Sequence, residues 1–368
     1  MNTARASIES FKAIPYLKVE HLTDGRTVKV MPLWDGKNWH LWINTPEGFV
    51  GAKVVEAVQT DYVGVGAARE PDLYIPFIEL MWQRASWPDV CPLIEAISDD
   101  FHNMGTSLAK LRLFFDCRNT LPARSAASFA STELEYLVIL ARTVFDSLQE
   151  IIRTIWKMVQ LDDPAAQRRH EASVLRKSFG DMVFRSNQPQ SAAEIADRYG
   201  LPTPLAQEYA NVAPFFLELR SARDKVVHGG SSVGFVFDTE RGFCVNPKFS
   251  PFSSFEGWRP EHYYNENIVS IMPWVGHIVL RTIDACNRMM NVFASVIRLP
   301  PEISPGYHIY VRGPHTDAVA EAVRIHNGAS PWWGQENQPT TEAQPAPNAA
   351  APGALAVSSA ARLESTNG

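Results

Sequence analysis

The amino-acid sequence predicts a mainly α protein of the α+β class: an antiparallel helical bundle with a β-rich N-terminal subdomain, an inserted β-hairpin and a disordered C-terminal tail. Three observations carry this. Apolar residues recur with helical period along two long stretches, 90–115 and 134–159. Residues 14–63 instead alternate short β-branched and aromatic runs with turn pairs at Asp24-Gly25, Asp35-Gly36 and Glu47-Gly48, the pattern of hairpins or a small meander. Beyond Gly328 the composition collapses into Ala, Pro, Ser, Gln and Asn, so residues 334–368 carry too little apolar bulk to offset the entropy of ordering. The division that follows is 1–87 for the β-rich subdomain, 88–300 for the bundle with its hairpin insertion at about 233–258, 301–333 for a C-terminal extension, and 334–368 for the tail.

Taken in order, Thr27-Val28-Lys29-Val30 and Trp39-His40-Leu41-Trp42-Ile43 read as strands. From Pro88 a long helix begins, tolerates Gly105 in its middle and ends near Asn119, before Pro122. In the next helix Leu134, Leu137, Ala141, Val144, Leu148 and Ile151 share one stripe, while Arg142, Asp146, Glu150 and Arg153 form a solvated charged side. Thr132, three residues before Glu135, makes a capping box and places this helix at about 132–160. A short loop between the two helices makes them an antiparallel pair. A helix at 167–184 and a brief one at 191–199, stopped by Gly200, come next. Thr203-Pro204 starts another, which Pro214 should kink or restart near Asn211 and which ends at Gly229-Gly230. Gly234-Phe235-Val236-Phe237 and Phe243-Cys244-Val245 form the inserted hairpin, and a last helix at about 265–298 bends at Pro273.

Composition narrows the function classes. A chain of 368 residues with 45% hydrophobic and 20% charged residues is long enough for a sizeable core and has ordinary globular usage. The formal charge of −6 argues against a generally cationic surface, so any nucleic-acid contact needs a local cleft. Cys91, Cys117, Cys244 and Cys286 are scattered without a CxxC pair, which fits reduced structural thiols and no zinc site of the usual spacing. No signal-peptide stretch or span of about 20 apolar residues occurs, so a cytoplasmic protein without membrane contact is expected. His102, His170, His262, His277 and His315 fall in no HExxH pattern, and GxGxxG after a strand, GxxxxGK[ST] and GxSxG are absent. No cofactor or metal is therefore expected.

The segment that carries chemistry is Leu219-Arg220-Ser221-Ala222-Arg223-Asp224-Lys225-Val226-Val227-His228, at a helix end. Asp224 and His228 share a helix face, and the long Arg223 side chain can swing toward it. The trio offers a base or acid near neutral pH, a permanent cation for phosphate and a carboxylate that can fix the imidazole tautomer. Those parts suit RNA cleavage without a metal. His228 would take the 2′-hydroxyl proton and Arg223 would stabilise the charge building on the phosphate. The products would carry a 2′,3′-cyclic phosphate, and DNA, lacking the 2′-hydroxyl, would be untouched.

Arg223-Asp224-Lys225-Val226-Val227-His228 resembles the signature of the HEPN (higher eukaryotes and prokaryotes nucleotide-binding) family: Arg, a polar residue, three further residues and His. The amphipathic helix with the run Ala141-Arg142-Thr143-Val144-Phe145-Asp146 before it and the helix after it fit the same pattern, so the resemblance covers roughly 90–298. It implies a HEPN-like bundle that forms a homodimer with Arg223 and His228 of both subunits in one cleft. It also implies an endoribonuclease that needs no metal, of the kind found in toxin–antitoxin and anti-phage defence, where an antitoxin or other protein partner is common. Arg220, Asp224 and Lys225 would support the catalytic pair, with Asp224 standing where asparagine is common in the family.

The same residues allow a second reading, a catalytically inactive HEPN-like module that binds RNA, nucleotide or a protein partner. A helix-terminal His opposite the macrodipole and an Arg paired to a neighbouring carboxylate need no catalysis. Trp34, Trp39 and Trp42 are expected to bury in a sheet core in preference to stacking nucleobases, and Trp332-Trp333 either caps the bundle edge or anchors a partner.

Overall fold

A computed structural model of the chain describes residues 6–228 and 234–334, with backbone alone at 226–228. The expected tail beyond 334 and the expected helix stop at Gly229-Gly230 lie outside the described residues. The class is mixed α+β, with long helices and three sheets among the described residues.

The N-terminal half begins with strands β1 (Leu33–Trp34), β2 (Trp39–Thr45), β3 (Gly48–Val54), β4 (Thr60–Gly64) and β5 (Leu73–Tyr74). The turns between β1, β2 and β3 follow the sequence reading. Gly36 and Gly48 take positive φ of 94° and 124°, and Asp35 accepts from the backbone N–H groups of Lys37 and Asn38 at 2.8 and 2.7 Å. Thr27–Val30, expected as a strand, pairs with none; Thr27 donates its backbone N–H to Ser86 at 2.8 Å instead.

Helices α1 (Pro76–Arg84) and α2 (Cys91–Asp116) follow, then α3 (Ser125–Trp156). The latter starts two turns before Thr132. Ala126 and Ala130 are buried and extend the apolar stripe, and the Thr132 hydroxyl donates to the Ser128 carbonyl, so Thr132 is an interior residue and not a cap. The single helix expected at 167–184 is two, α4 (Pro164–Ala172) and α5 (Phe179–Val183). Asp163 caps α4 through Ala165 and Ala166 ahead of Pro164, and Ser173 is already extended. A small hairpin, β6 (Phe184–Arg185) and β7 (Gln188–Pro189), leads to α6 (Ala192–Tyr199). It is stopped by left-handed Gly200, as the sequence predicts, and is opened by a reciprocal Ser191–Glu194 capping box.

Helix α7 (Thr203–His228) runs through Pro214 without a restart. Val212, Ala213, Phe215 and Phe216 around the proline are all buried, and this packing outweighs the lost backbone hydrogen bond. The inserted hairpin, β8 (Phe237–Asp238) and β9 (Phe243–Val245), belongs to a four-stranded sheet with β10 (Tyr263–Asn265) and β11 (Ile268–Ser270). The last bundle helix, α8 (Met272–Val296), therefore starts later than expected. Pro273 lies in its first turn, where no donor is needed, so it opens the helix where a bend was expected. Strand β12 (His308–Arg312) and helix α9 (Thr316–His326) end the described chain.

The strand order of the large sheet is β3-β2-β1-β4-β12-β5, all antiparallel except the β1–β4 pair. The segment 301–333 thus supplies a strand to the middle of the N-terminal sheet. Helices α2, α3, α7 and α8 pack on one another, and one contiguous apolar core runs from Ile14 through these helices to Ile325. A small aromatic cluster of Trp39, Tyr62 and Tyr310 lies beside it on the sheet.

Candidate functional site

The motif residues sit on the last turns of α7. This helix is anchored by Phe216, Leu219 and Ala222, with the Phe216 ring packed against Phe145 of α3 and Phe179 of α5. Outward from that anchor, Arg223 donates to Asp224 Oδ1 at 2.8 Å, and Arg220 Nε lies 3.8 Å from Asp224 Oδ2. The carboxylate therefore sits between two guanidinium groups. All three side chains remain about two-fifths exposed: 41% for Arg223, 44% for Asp224 and 39% for Arg220. Lys225 turns away to the Ser250 hydroxyl, so it does not join the other three. His228 is the last residue of α7, and its side chain lies outside the described residues.

The charged side of α3 is not uniformly solvated. Arg142, 20% exposed, lies over the Phe216 ring at 4.4 Å and pairs with Asp146 at 2.7 Å. Asp146 in turn accepts from the Phe179 backbone N–H. The pair thus buttresses the helix that carries the motif. Across α7, Glu218 meets His277 of α8 at 3.4 Å and Glu208 meets Arg288 at 2.8 Å.

Of the three tryptophans expected in a sheet core, Trp39 is buried and Trp34 and Trp42 are half-buried. Trp39 is buried against Tyr62 and Trp34. Trp332 and Trp333 cap the bundle edge: Trp332 donates to the Glu261 carbonyl beneath Arg241, and Trp333 packs on Phe115 and Phe243.

A second polar cluster escapes the sequence reading. Asp61 of β4 accepts from Ser98 of α2 at 2.8 Å and from His102 Nε2 at 3.0 Å, and His102 Nδ1 meets His315 Nε2 at 3.2 Å. Lys29 closes the chain 3.4 Å from Asp61. His315 is 1% exposed, and its Nδ1 has no hydrogen-bond partner. Burial, with the neighbouring His102, draws its pKa down to about 4. Burial pushes the Asp61 carboxyl up, but hydrogen bonds from His102 and Ser98 and the Lys29 charge outweigh it and hold the group below its usual value. Gly105 was the one local signal. A Cβ there would lie 2.6 Å from His315 Cδ2, and one at Gly313 would lie 2.3 Å from Cε1, so the imidazole is held between two glycines. These groups bond to one another in a chain, and no group of three or more His, Cys, Asp or Glu among the described residues converges as a metal site. Nor is any helix among them long and apolar enough to cross a membrane.

Comparison with known protein families, with curated proteins and with solved structures found no match.

Proposed function

We propose that the chain is a metal-independent endoribonuclease of the HEPN type, acting as a homodimer in toxin–antitoxin or anti-phage defence. The observation that supports this reading is the position of Arg223: at the end of a bundle helix that is rigidly anchored on its inner face, with Arg220 alongside and its own side chain about two-fifths exposed. A guanidinium so placed can meet a phosphate bidentately. His228, one turn further on, would take the 2′-hydroxyl proton, and the 2′-oxygen would displace the 5′-oxygen at phosphorus. Arg223 would stabilise the charge on the pentacoordinate phosphate.

One contact favours the inactive-module reading. Asp224 occupies the guanidinium of Arg223 at 2.8 Å, where an RNA phosphate would have to displace or share it. A cleavage assay decides between the two. Purified full-length chain is incubated with 5′-labelled structured RNA in EDTA, beside Arg223→Ala and His228→Ala, and the product ends are typed by phosphatase sensitivity. Cyclic-phosphate ends from the parent chain alone are the expected result. No cleavage, or cleavage that survives both substitutions, would refute the nuclease reading and favour the binding module.

A further inference from the structure

Strands β1 and β2 begin a ladder that they do not finish. Asp35 donates its backbone N–H to the Asn38 carbonyl at 3.2 Å, and the register then pairs Trp34 with Trp39 and Leu33 with His40. In an antiparallel pair every second couple exchanges hydrogen bonds. After Leu33 and His40 the next bonded couples would therefore be Met31 with Trp42 and Lys29 with Asn44. Neither forms. Residues 28–31 make no backbone hydrogen bond among the described residues, although Thr27-Val28-Lys29-Val30 has the composition of a strand. Trp42 and Asn44 have register partners on β3 alone.

Between the two backbones lies a cavity of about 520 Å³, lined by 28–31 on one side and by Trp42 and Asn44 on the other, with Phe11, Ile14 and Phe49 completing the wall. One strand residue fills roughly 160 Å³, from about 3.3 Å of rise, about 4.8 Å between strands and about 10 Å through a sheet, so there is room for about three residues of extended chain. The charged groups of the wall are turned elsewhere. The Arg26 guanidinium donates to Asp24 and to the carbonyls of Gln83, Pro301 and His21. The Lys29 ammonium faces Asp61 and the Trp82 ring, neither of which lines the cavity.

We propose that this slot takes an uncharged extended segment of a partner polypeptide, inserted as a strand between 28–31 and β2. A neutral hydrophobe would fill the volume but leave the backbone donors and acceptors of Lys29, Met31, Trp42 and Asn44 unpaired in an apolar wall, which costs free energy. A folded surface, that of a second copy included, is too thick to enter a gap between two strands of one sheet. A single extended chain meets both demands, because its main chain completes the ladder and its apolar side chains fill the wall. The site is separate from α7 and stands whether or not the chain cuts RNA.

Isothermal titration of the full-length chain uses the blocked peptide acetyl-Thr-Leu-Thr-Leu-Thr-amide and the same peptide N-methylated at both leucines. The side chains are identical, so the pair separates main-chain pairing from cavity filling. Saturable one-to-one binding of the unmethylated peptide is expected, at least roughly tenfold tighter than its N-methyl form, which has lost two donors. Amide hydrogen exchange should slow on binding within 28–31 and at Trp42 and Asn44. Asn44→Pro removes an N–H that faces the slot and not β3, so the variant should keep its circular dichroism and unfolding midpoint and bind at least roughly tenfold more weakly. Equal affinity for the two peptides would make the slot a plain hydrophobe pocket. Protection of the same amides that rises with protein concentration, without peptide, would assign it to a second copy. Either result overturns the proposal, as does binding unchanged in folded Asn44→Pro or no saturable binding at millimolar concentration.

Discussion

Replacing Gly105 by alanine tests the packing around His315 through the sign of a single number. In the middle of an unconstrained helix, Gly→Ala stabilises by about 1 kcal/mol, because alanine loses less backbone freedom on folding. Here the new methyl carbon would sit 2.6 Å from His315 Cδ2, 3.1 Å from Cγ and 3.2 Å from Cβ. The ring cannot retreat: Gly313 packs against its opposite edge, and His102 Nδ1 holds Nε2 at 3.2 Å. Overpacking of a rigid core costs about 1–3 kcal/mol, and contact along a whole ring edge belongs at the upper end. The net expectation is a loss of about 2 kcal/mol, read as a lower denaturant midpoint at unchanged slope in urea unfolding. In a His315→Gly background the ring and its Cβ are both gone, and the same Gly105→Ala change should stabilise by about 1 kcal/mol. Stabilisation by Gly105→Ala in the parent chain, or an effect of equal sign in both backgrounds, would refute the two-glycine cradle.

Further outcomes follow from the same contacts. Because the folded-state pKa of His315 is drawn from 6.5 to about 4, the unfolded chain binds more protons in that interval. The contribution is fully present above about pH 6.5 and lost as the pH falls toward 4, up to about 3 kcal/mol; denaturation midpoints that stay level from pH 7 to pH 4.5 would contradict it. Asp61, held low, adds a loss of the same sign below the ordinary carboxylate range. Asp224→Asn removes the carboxylate from between Arg220 and Arg223 and should raise RNA cleavage several-fold in the labelled-RNA assay, whereas a fall would make Asp224 a contributor to the reaction. Gly200→Ala should cost more than about 2 kcal/mol in chemical unfolding, since φ is +65° and the added carbon would lie 2.6 Å from the fixed Arg169 carbonyl oxygen. An effect under 0.5 kcal/mol would mean that the α4–α6 contact yields.

Much of the helical part was readable because its information is local. The stripes of α2 and α3 repeat every few residues, and Gly200 carries its stop signal directly after the helix it bounds. Where reading failed, a competing term prevailed. Thr132 scores as a cap only until Ala126 and Ala130 find a buried face, and Pro214 breaks a helix only when its neighbours have nothing to pack on. Proline in a first turn and proline in a helix interior look alike in sequence, so Pro273 marked the right residue for the wrong event.

The sequence by itself determined the α+β class, the long bundle helices and the position of Arg223 at a helix end, because periodicity, capping and a six-residue motif need only neighbours along the chain. Tertiary structure alone decided that β12 enters the middle of the N-terminal sheet, that Arg142 braces Phe216, and that Asp61, His102 and His315 meet although 41 and 213 residues separate the successive partners. Such contacts leave no local trace: they depend on which faces the folded elements bring together, and the ordering cost of closing those loops is met by the shared core.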